Sequence, residues 1–284
     1  MIEPPLVSPA TLIDAYALLA EANHRPLAGG TDVLVQLSAG LGPAPERLLD
    51  LWRLDELRGI DLDGGDLVLG ALTTYSAIRR SAVCRELLPV LAEVAATIGA
   101  AQIQNRGTVG GNVANASPAG DLLPILLATD ATIVAGSIRG EREIPAAAFW
   151  TGYRTTDLGP DEIVVRIRIP LVADRQVRFR KIGTRRAQAI SKVVIGLSWV
   201  AAEPGGSWHS VRLALGSVAE RPIRAVVTEA VLEGQAPTSA VADRAFVTLA
   251  AEIQPIDDVR STADYRRAVA GRVVHRLVRD AGGW

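Results

Sequence analysis

Residues 105 to 121 read NRGTVGGNVANASPAGD, a run with no aromatic side chain and, after Arg106, no long one. So little packing surface cannot seed a core. The run is either a tight surface turn or backbone left bare so that a non-protein group can lie against it. A second bare point, Gly29-Gly30 in PLAGGTDVLVQL, stands far upstream, and each double glycine is followed by a short polar residue, Thr31 or Asn112. If both points serve one ligand, the fold must bring them together.

Amides exposed at such turns can hold a pyrophosphate, because glycine permits close approach and each N–H is a directed donor. One Gly-Gly pair alone is weak evidence. Gly64-Gly65 and Gly205-Gly206 read as plain hairpin loops. Neither a G-x-G-x-x-G after a strand nor a G-x-x-x-x-G-K-[ST] occurs, so neither a Rossmann site nor a P-loop is indicated.

The 284 residues allow two or three compact units, and 49% hydrophobic residues can build real cores. A net charge of −1 offers no electrostatic reason to bind nucleic acid. Cys84 is the single cysteine, so neither an internal disulfide nor the thiolate set of a zinc site or iron-sulfur cluster can form within this chain. Cys84 itself reads as a small apolar residue. MIEPPLVSPATLIDAY has no basic segment leading into an apolar run, and no stretch approaches the roughly 20 apolar residues of a membrane span. The cytoplasm is the expected location.

Periodicity gives an α+β organisation. Ser8 and Pro9 mark a helix start, with Leu12, Tyr16 and Leu19 on one face. A short strand then runs into Gly29-Gly30, and Thr31 or Asp32 caps a helix carrying Val33, Leu34 and Leu37. LDGGDL predicts a hairpin, Thr73 or Thr74 a helix cap, and CRELLPVLAEVAATIG one longer helix. EIVVRIRIP alternates, with Ile163, Val165, Ile167 and Ile169 on one face. Beyond Pro170, three strands and several helices predict a separate carboxy-terminal unit.

PLAGGTDVLVQL together with QIQNRGTVGGNVANASPAGDLLPILLATDA closely resembles the FAD-binding middle subunit of the molybdenum hydroxylases, the family of carbon monoxide dehydrogenase and xanthine dehydrogenase. The likeness continues through GYRTTDLGPDEIVVRIRIP, FRKIGTRRAQAISKV and STADYRRAVA, and so spans nearly the whole chain in order. It implies a two-part FAD-binding domain of the PCMH type, with a small α/β subdomain over residues 1–58 and a larger α+β subdomain over 59–173. Residues 174–284 would form a carboxy-terminal α+β domain with a three-stranded antiparallel sheet and helices.

The resemblance also implies site residues. Ala28, Gly29, Gly30, Thr31 and Asp32 form the first FAD loop, flanked by Leu27, Val33 and Leu34. Thr108, Val109, Gly110, Gly111 and Asn112 form the second, with Ser117 beyond it. Asp121 corresponds to a carboxylate for the adenosine part, although capping the helix DLLPILL is an alternative. Leu158 and Lys181 match positions near the isoalloxazine ring, where a cation could stabilise added negative charge; a solvated strand residue is the other reading of Lys181. Ile98 stands where some relatives place an aromatic near the flavin, yet reads more readily as core. RKIGTRR is either a phosphate clamp or a basic strand edge. His24, His209 and His275 share no metal-ligand spacing and read as surface or structural. Gln104 replaces an arginine common in relatives.

The implied role is electron transfer. Molybdopterin would sit in a large partner subunit and 2Fe-2S clusters in a small one, assembled as a dimer of heterotrimers, and FAD here would pass electrons to an external acceptor. No acid, base or nucleophile for the organic substrate is expected in this chain. With no His or Cys in either loop to tether it, the FAD should be non-covalent. A flavin-free structural subunit and a free-standing flavin oxidase are the alternatives.

Overall fold

The computed structural model describes residues 4–40, 43–185 and 188–284. The amino-terminal part comprises β1 (Leu6–Val7), α1 (Leu12–Glu21), β2 (His24–Leu27), α2 (Val33–Ser38) and β3 (Arg47–Asp50), with β3 between β1 and β2 and parallel to both. The helix start expected at Ser8 falls at Thr11. Thr11 Oγ1 accepts from the Asp14 amide at 3.2 Å and the Asp14 carboxylate accepts from the Thr11 amide at 3.1 Å. Such a capping box needs a carboxylate three positions on, and from Ser8 that position is Thr11 itself.

The middle of the chain opens with the hairpin of β4 (Ile60–Asp63) and β5 (Asp66–Gly70), turned by Gly64 and Gly65 at positive φ. Six helices follow: α3 (Tyr75–Arg80), α4 (Ala82–Leu87), α5 (Val90–Thr97), α6 (Ala101–Arg106), α7 (Val109–Asn115) and α8 (Leu123–Ala128). Thr74, not Thr73, caps α3. The long helix expected from Cys84 onward is two, because the chain turns between α4 and α5 at Leu88 and Pro89, and proline has no amide to continue the ladder. Then come β6 (Thr132–Ser137), β7 (Gly140–Pro145), α9 (Ala146–Phe149), the small hairpin of β8 (Trp150–Gly152) and β9 (Thr155–Thr156), and β10 (Ile163–Pro170). An antiparallel sheet in the order β4-β5-β10-β6-β7 results.

Along β10 the expected alternation breaks at a bulge between Val164 and Arg166. Ile163, Val164 and Val165 are consequently all buried. Ile163 and Val165 join a small core with Tyr16, Leu49 and Leu57, while Val164, Ile167 and Ile169 join the main core. One strand thereby ties together the two parts that flank the cleft described below.

The carboxy-terminal sheet has four strands rather than three: β11 (Arg175–Gly183), β12 (Ser191–Val200), β13 (His209–Gly216) and β14 (Ile223–Arg224). The fourth is two residues long, too short to show alternation in sequence. Its helices α10 (Val226–Leu232), α11 (Ser239–Glu252) and α12 (Ala263–Gly282) cover one face, where Val193, Ile195, Leu197, Leu213 and Leu215 are buried. From the other face Phe179, Val194 and Ala214 enter the main core against α8, whose six residues are all buried. At Gly196 a Cβ would stand 2.8 Å from the Pro124 carbonyl oxygen, so glycine permits this sheet-on-helix approach.

Candidate functional site

The first loop follows β2 directly. Gly30 has φ +75°, a left-handed conformation that glycine adopts without strain, and it swings the chain into α2. The backbone amides of Gly29, Gly30, Thr31, Asp32 and Val33 donate to no protein group among the described residues. Asp32 occupies the cap position of α2, but its side chain forms no capping bond, and Thr31 forms none either. Five successive amides are therefore left for an anion, each contributing about 1.5 to 3 kcal/mol when it meets a charged oxygen.

The second loop is built differently from the turn the sequence suggests. Gly110 and Gly111 lie in the first turn of α7, capped by Thr108. Their amides are already committed: Val109 donates to Thr73 O at 3.0 Å, Gly110 to Ala71 O at 2.9 Å and Gly111 to Thr108 Oγ1 at 3.1 Å. What this loop provides is space. A Cβ on Gly110 would stand 2.6 Å from that of Ala71, so this glycine lets α7 pack closely. A Cβ on Gly111 would meet only Thr108 Oγ1, at 2.9 Å, and Ala28 at 4.0 Å, and would otherwise project into open space. The Asn112 side-chain oxygen is buried with no hydrogen-bond partner.

The two loops face each other. A Cβ on Gly29 would lie 1.7 Å from the Arg106 carbonyl oxygen, so the first loop touches the lead-in to the second, backbone to backbone. Between them runs a cleft of two joined chambers. The inner one, about 360 Å³, is mostly apolar, and the outer one, about 860 Å³, opens toward the carboxy-terminal sheet. Both lie in the range of small-molecule sites, about 300 to 1,000 Å³. Thr31, Asp32, Ile98 and Asn112 line both, which makes the cleft continuous.

Ala28, Gly29, Gly30, Val33, Thr108, Gly110, Gly111 and Leu158 line the inner chamber. Ser117, Asp121 and Lys181 line the outer one. Leu27, Leu34 and Val109 line neither: Leu27 packs beneath Gly30, Leu34 is exposed beside it, and Val109 is fully buried in the main core. Ile98 is partly buried against the main core and also borders the cleft, so both of its readings hold.

Asp121 and Lys181 belong together. Lys181 Nζ donates to Asp121 Oδ2 at 2.6 Å and to Thr97 O at 3.1 Å, and Ser191 Oγ donates to Asp121 Oδ1 at 2.9 Å. Asp121 and Lys181 thus act as one unit, set apart from Leu158. The ion pair is one feature of the outer chamber, and Leu158 lies in the inner one. Asp121 does not cap α8 either, which starts after Leu122 without a side-chain cap. Burial pushes the Asp121 carboxyl above its ordinary pKa, opposed by the Lys181 ammonium and the Ser191 hydroxyl.

Sequence reasoning passed over Arg25, Asn115 and Arg154. Arg154, at the β8–β9 tip, donates to Asn115 Oδ1 at 3.1 Å, Gln36 Nε2 reaches the same oxygen at 3.4 Å, and Arg25 binds Gln36 Oε1 at 2.7 Å. Enclosure in the cleft raises the Asp32 carboxyl, opposed by Arg154, Asn115 and Arg25. GYRT at a hairpin tip was the one available signal, and nothing local says where that tip points. Gln104 is accounted for structurally, accepting from Arg79 at 2.5 Å. Within RKIGTRR, Lys181 sits on β11, an edge strand, whereas Arg186 lies outside the described residues. His24 is buried with Nδ1 3.1 Å from Ala22 O, and His275 stands edge-on to Trp284.

Residues 2–172 match the family model for the FAD binding domain in molybdopterin dehydrogenase, and residues 178–281 match that for the CO dehydrogenase flavoprotein C-terminal domain. The chain belongs to this flavoprotein family. It is 32% identical over 277 residues to the carbon monoxide dehydrogenase medium chain of Hydrogenophaga pseudoflava, covering 96% of this chain and 95% of that one. It is 30% identical over 280 residues to the xanthine dehydrogenase FAD-binding subunit of Escherichia coli O157:H7, covering 96% of each. A solved structure of the CO dehydrogenase from Oligotropha carboxidovorans superposes with a TM-score of 0.93 at 30% identity, covering 100% of this chain and 99% of that one. As a flavoprotein of the molybdenum hydroxylases, the chain is an FAD-binding oxidoreductase subunit, and the cleft suits that cofactor. Free amides match a pyrophosphate, and the missing Cβ at Gly111 leaves room beside it.

Proposed function

We propose that this chain relays electrons in a multi-subunit molybdenum hydroxylase, between 2Fe-2S clusters in a small partner and an external acceptor, with molybdopterin in a large partner. The observation that carries the reading is the run of free amides from Gly29 to Val33, opposed across one cleft by Gly111. Bound FAD supplies chemistry in steps of one or two electrons. The protein's own contribution is to hold it. First-loop amides receive the pyrophosphate, the inner chamber takes the adenosine end, and the Asp121–Lys181 pair borders the flavin end. Lys181 Nζ, anchored by Asp121 and Thr97 O, has one N–H left to donate at that end.

A single cysteine supports placing the clusters in a partner chain. Identities of 32% and 30% to subunits of CO-oxidising and xanthine-oxidising enzymes do not select a substrate, in keeping with a substrate pocket in the large partner. No helix among the described residues is long and apolar enough to cross a membrane, and we assign the complex to the cytoplasm. We also assign 1–58 and 59–173 to the two walls of the cleft and 174–284 to the cover of the flavin end. Copurification from the native host tests the partners, and the flavin absorption spectrum tests the cofactor. FAD released by acid precipitation identifies it as non-covalent. A folded chain that neither carries nor takes up FAD refutes the proposal, and reduction of the isolated chain by an organic substrate points instead to a free-standing oxidase.

A further inference from the structure

We infer that Arg142 is a positioning residue for FAD, because its guanidinium ties together both ends of the segment 157–162, which walls the inner chamber. The inference rests on the FAD-binding reading above and adds a residue that lines neither chamber. Leu158, Gly159, Pro160 and Glu162 line the inner chamber. They lie between β9 and β10, in no helix or strand, so no ladder of backbone hydrogen bonds sets the shape of this wall. Residues 159–162 close a turn on themselves. The Glu162 amide donates to Gly159 O at 3.1 Å, and the Gly159 amide donates to Glu162 Oε2 at 2.7 Å.

Arg142 comes from a different element, the edge strand β7. Its Nε and Nη2 donate to the two carboxylate oxygens of Glu162, each at 2.8 Å, and its Nη1 donates to Asp157 Oδ2, also at 2.8 Å. Nη2 reaches the Asp157 carbonyl as well. One planar group thus fixes residues 157 and 162 relative to each other and to the sheet, which a single ammonium cannot reproduce. Glu162 passes the constraint on to the Gly159 amide. Its side chain is only 8% exposed, and the Arg142 hydrogen bonds hold its carboxyl below the ordinary pKa, so the clamp is ionised at neutral pH. The Arg142 side chain itself is 44% exposed. Ion pairs so exposed add little to stability, so what the fork contributes is the shape of the wall. Arg166 and Arg168 provide the contrast. Their partners Glu141, Asp63 and Asp66 lie on β7, β4 and β5, away from the wall.

The test titrates FAD by calorimetry into flavin-free full chains: the unaltered protein, Arg142→Met, Arg142→Lys, Glu162→Gln and the Arg142→Met, Glu162→Gln double variant, with Arg166→Met as control. Thermal unfolding without FAD accompanies each titration. The dissociation constant should rise about tenfold in each of the first three variants, and still about tenfold rather than a hundredfold in the double variant, because the two residues act as one unit. Arg166→Met should bind as the parent does. Flavin-free unfolding temperatures should stay within about 5 °C of the parent. Parental affinity in Arg142→Met overturns the inference while leaving the proposed function standing. Parental affinity in Arg142→Lys overturns it too, since charge alone would then suffice, as does an equal loss in Arg166→Met or a hundredfold loss in the double variant. A larger fall in the unfolding temperature of Arg142→Met also overturns it, because the residue would then serve folding. If the unaltered chain binds no FAD, both readings fall together.

Discussion

Individual glycines in the cleft do different work, and substitution separates them. Gly111→Val crowds only the Thr108 cap hydroxyl, 2.9 Å from its Cβ, and otherwise enters open space, so FAD retention is expected to vanish while the circular dichroism spectrum is kept and urea unfolding shows a loss of no more than about 2 kcal/mol. Gly29→Ala drives a Cβ into the Arg106 carbonyl and should cost more than about 3 kcal/mol of folding stability, measured by urea unfolding without flavin. Tyr16 supplies a pH prediction. Burial first, then the charge of Glu141, pushes its hydroxyl up to about 12, from an ordinary tyrosine value of about 10. Between those values the folded state binds the proton and the unfolded state releases it, so stability falls as pH rises through that window. Tyr16→Phe, which also loses no hydrogen bond, should remove on the order of 2 kcal/mol of this alkaline loss in urea titrations from pH 10 to 12.

For the elements, local signals predict existence better than boundaries. The face carrying Tyr16 and Leu19 is buried as its spacing predicts, yet the helix starts at the capping box rather than at Ser8. Thr11→Ala is expected to cost about 1 kcal/mol and Ser8→Ala less than about 0.5 kcal/mol by urea unfolding. Ser8 Oγ makes only a 3.4 Å contact with Asp50. The second glycine pair teaches the same lesson about its environment. Read alone, Gly110-Gly111 suggests a turn with free amides. Ala71 O, distant in sequence, takes the Gly110 amide and the Thr108 hydroxyl takes that of Gly111, which leaves the anion to the first loop.

Across the whole molecule, the carboxy-terminal sheet is part of the structure that forms the site. β11 and β12 deliver Lys181 and Ser191 to Asp121 while Phe179, Val194 and Ala214 lock the same sheet into the main core. Phe179→Ala should therefore cost about 3 to 5 kcal/mol and lower the stability of the FAD-binding part in a single transition. Far-ultraviolet circular dichroism and tryptophan fluorescence would report it together. Two separate transitions would show that the sheet is an independent unit.

The sequence by itself determined the two bare loops, the hairpins, most helices, the missing cluster ligands and the family, because glycine freedom, capping, periodicity and cysteine count are local properties. Only the tertiary structure decided which loop keeps its amides, that Asp121 and Lys181 form one pair, and that Leu158 lies apart from them. The physical reason is that a hydrogen bond is a statement about partners. Here those partners come from strands and helices far away in the chain, and only folding brings them within 3 Å.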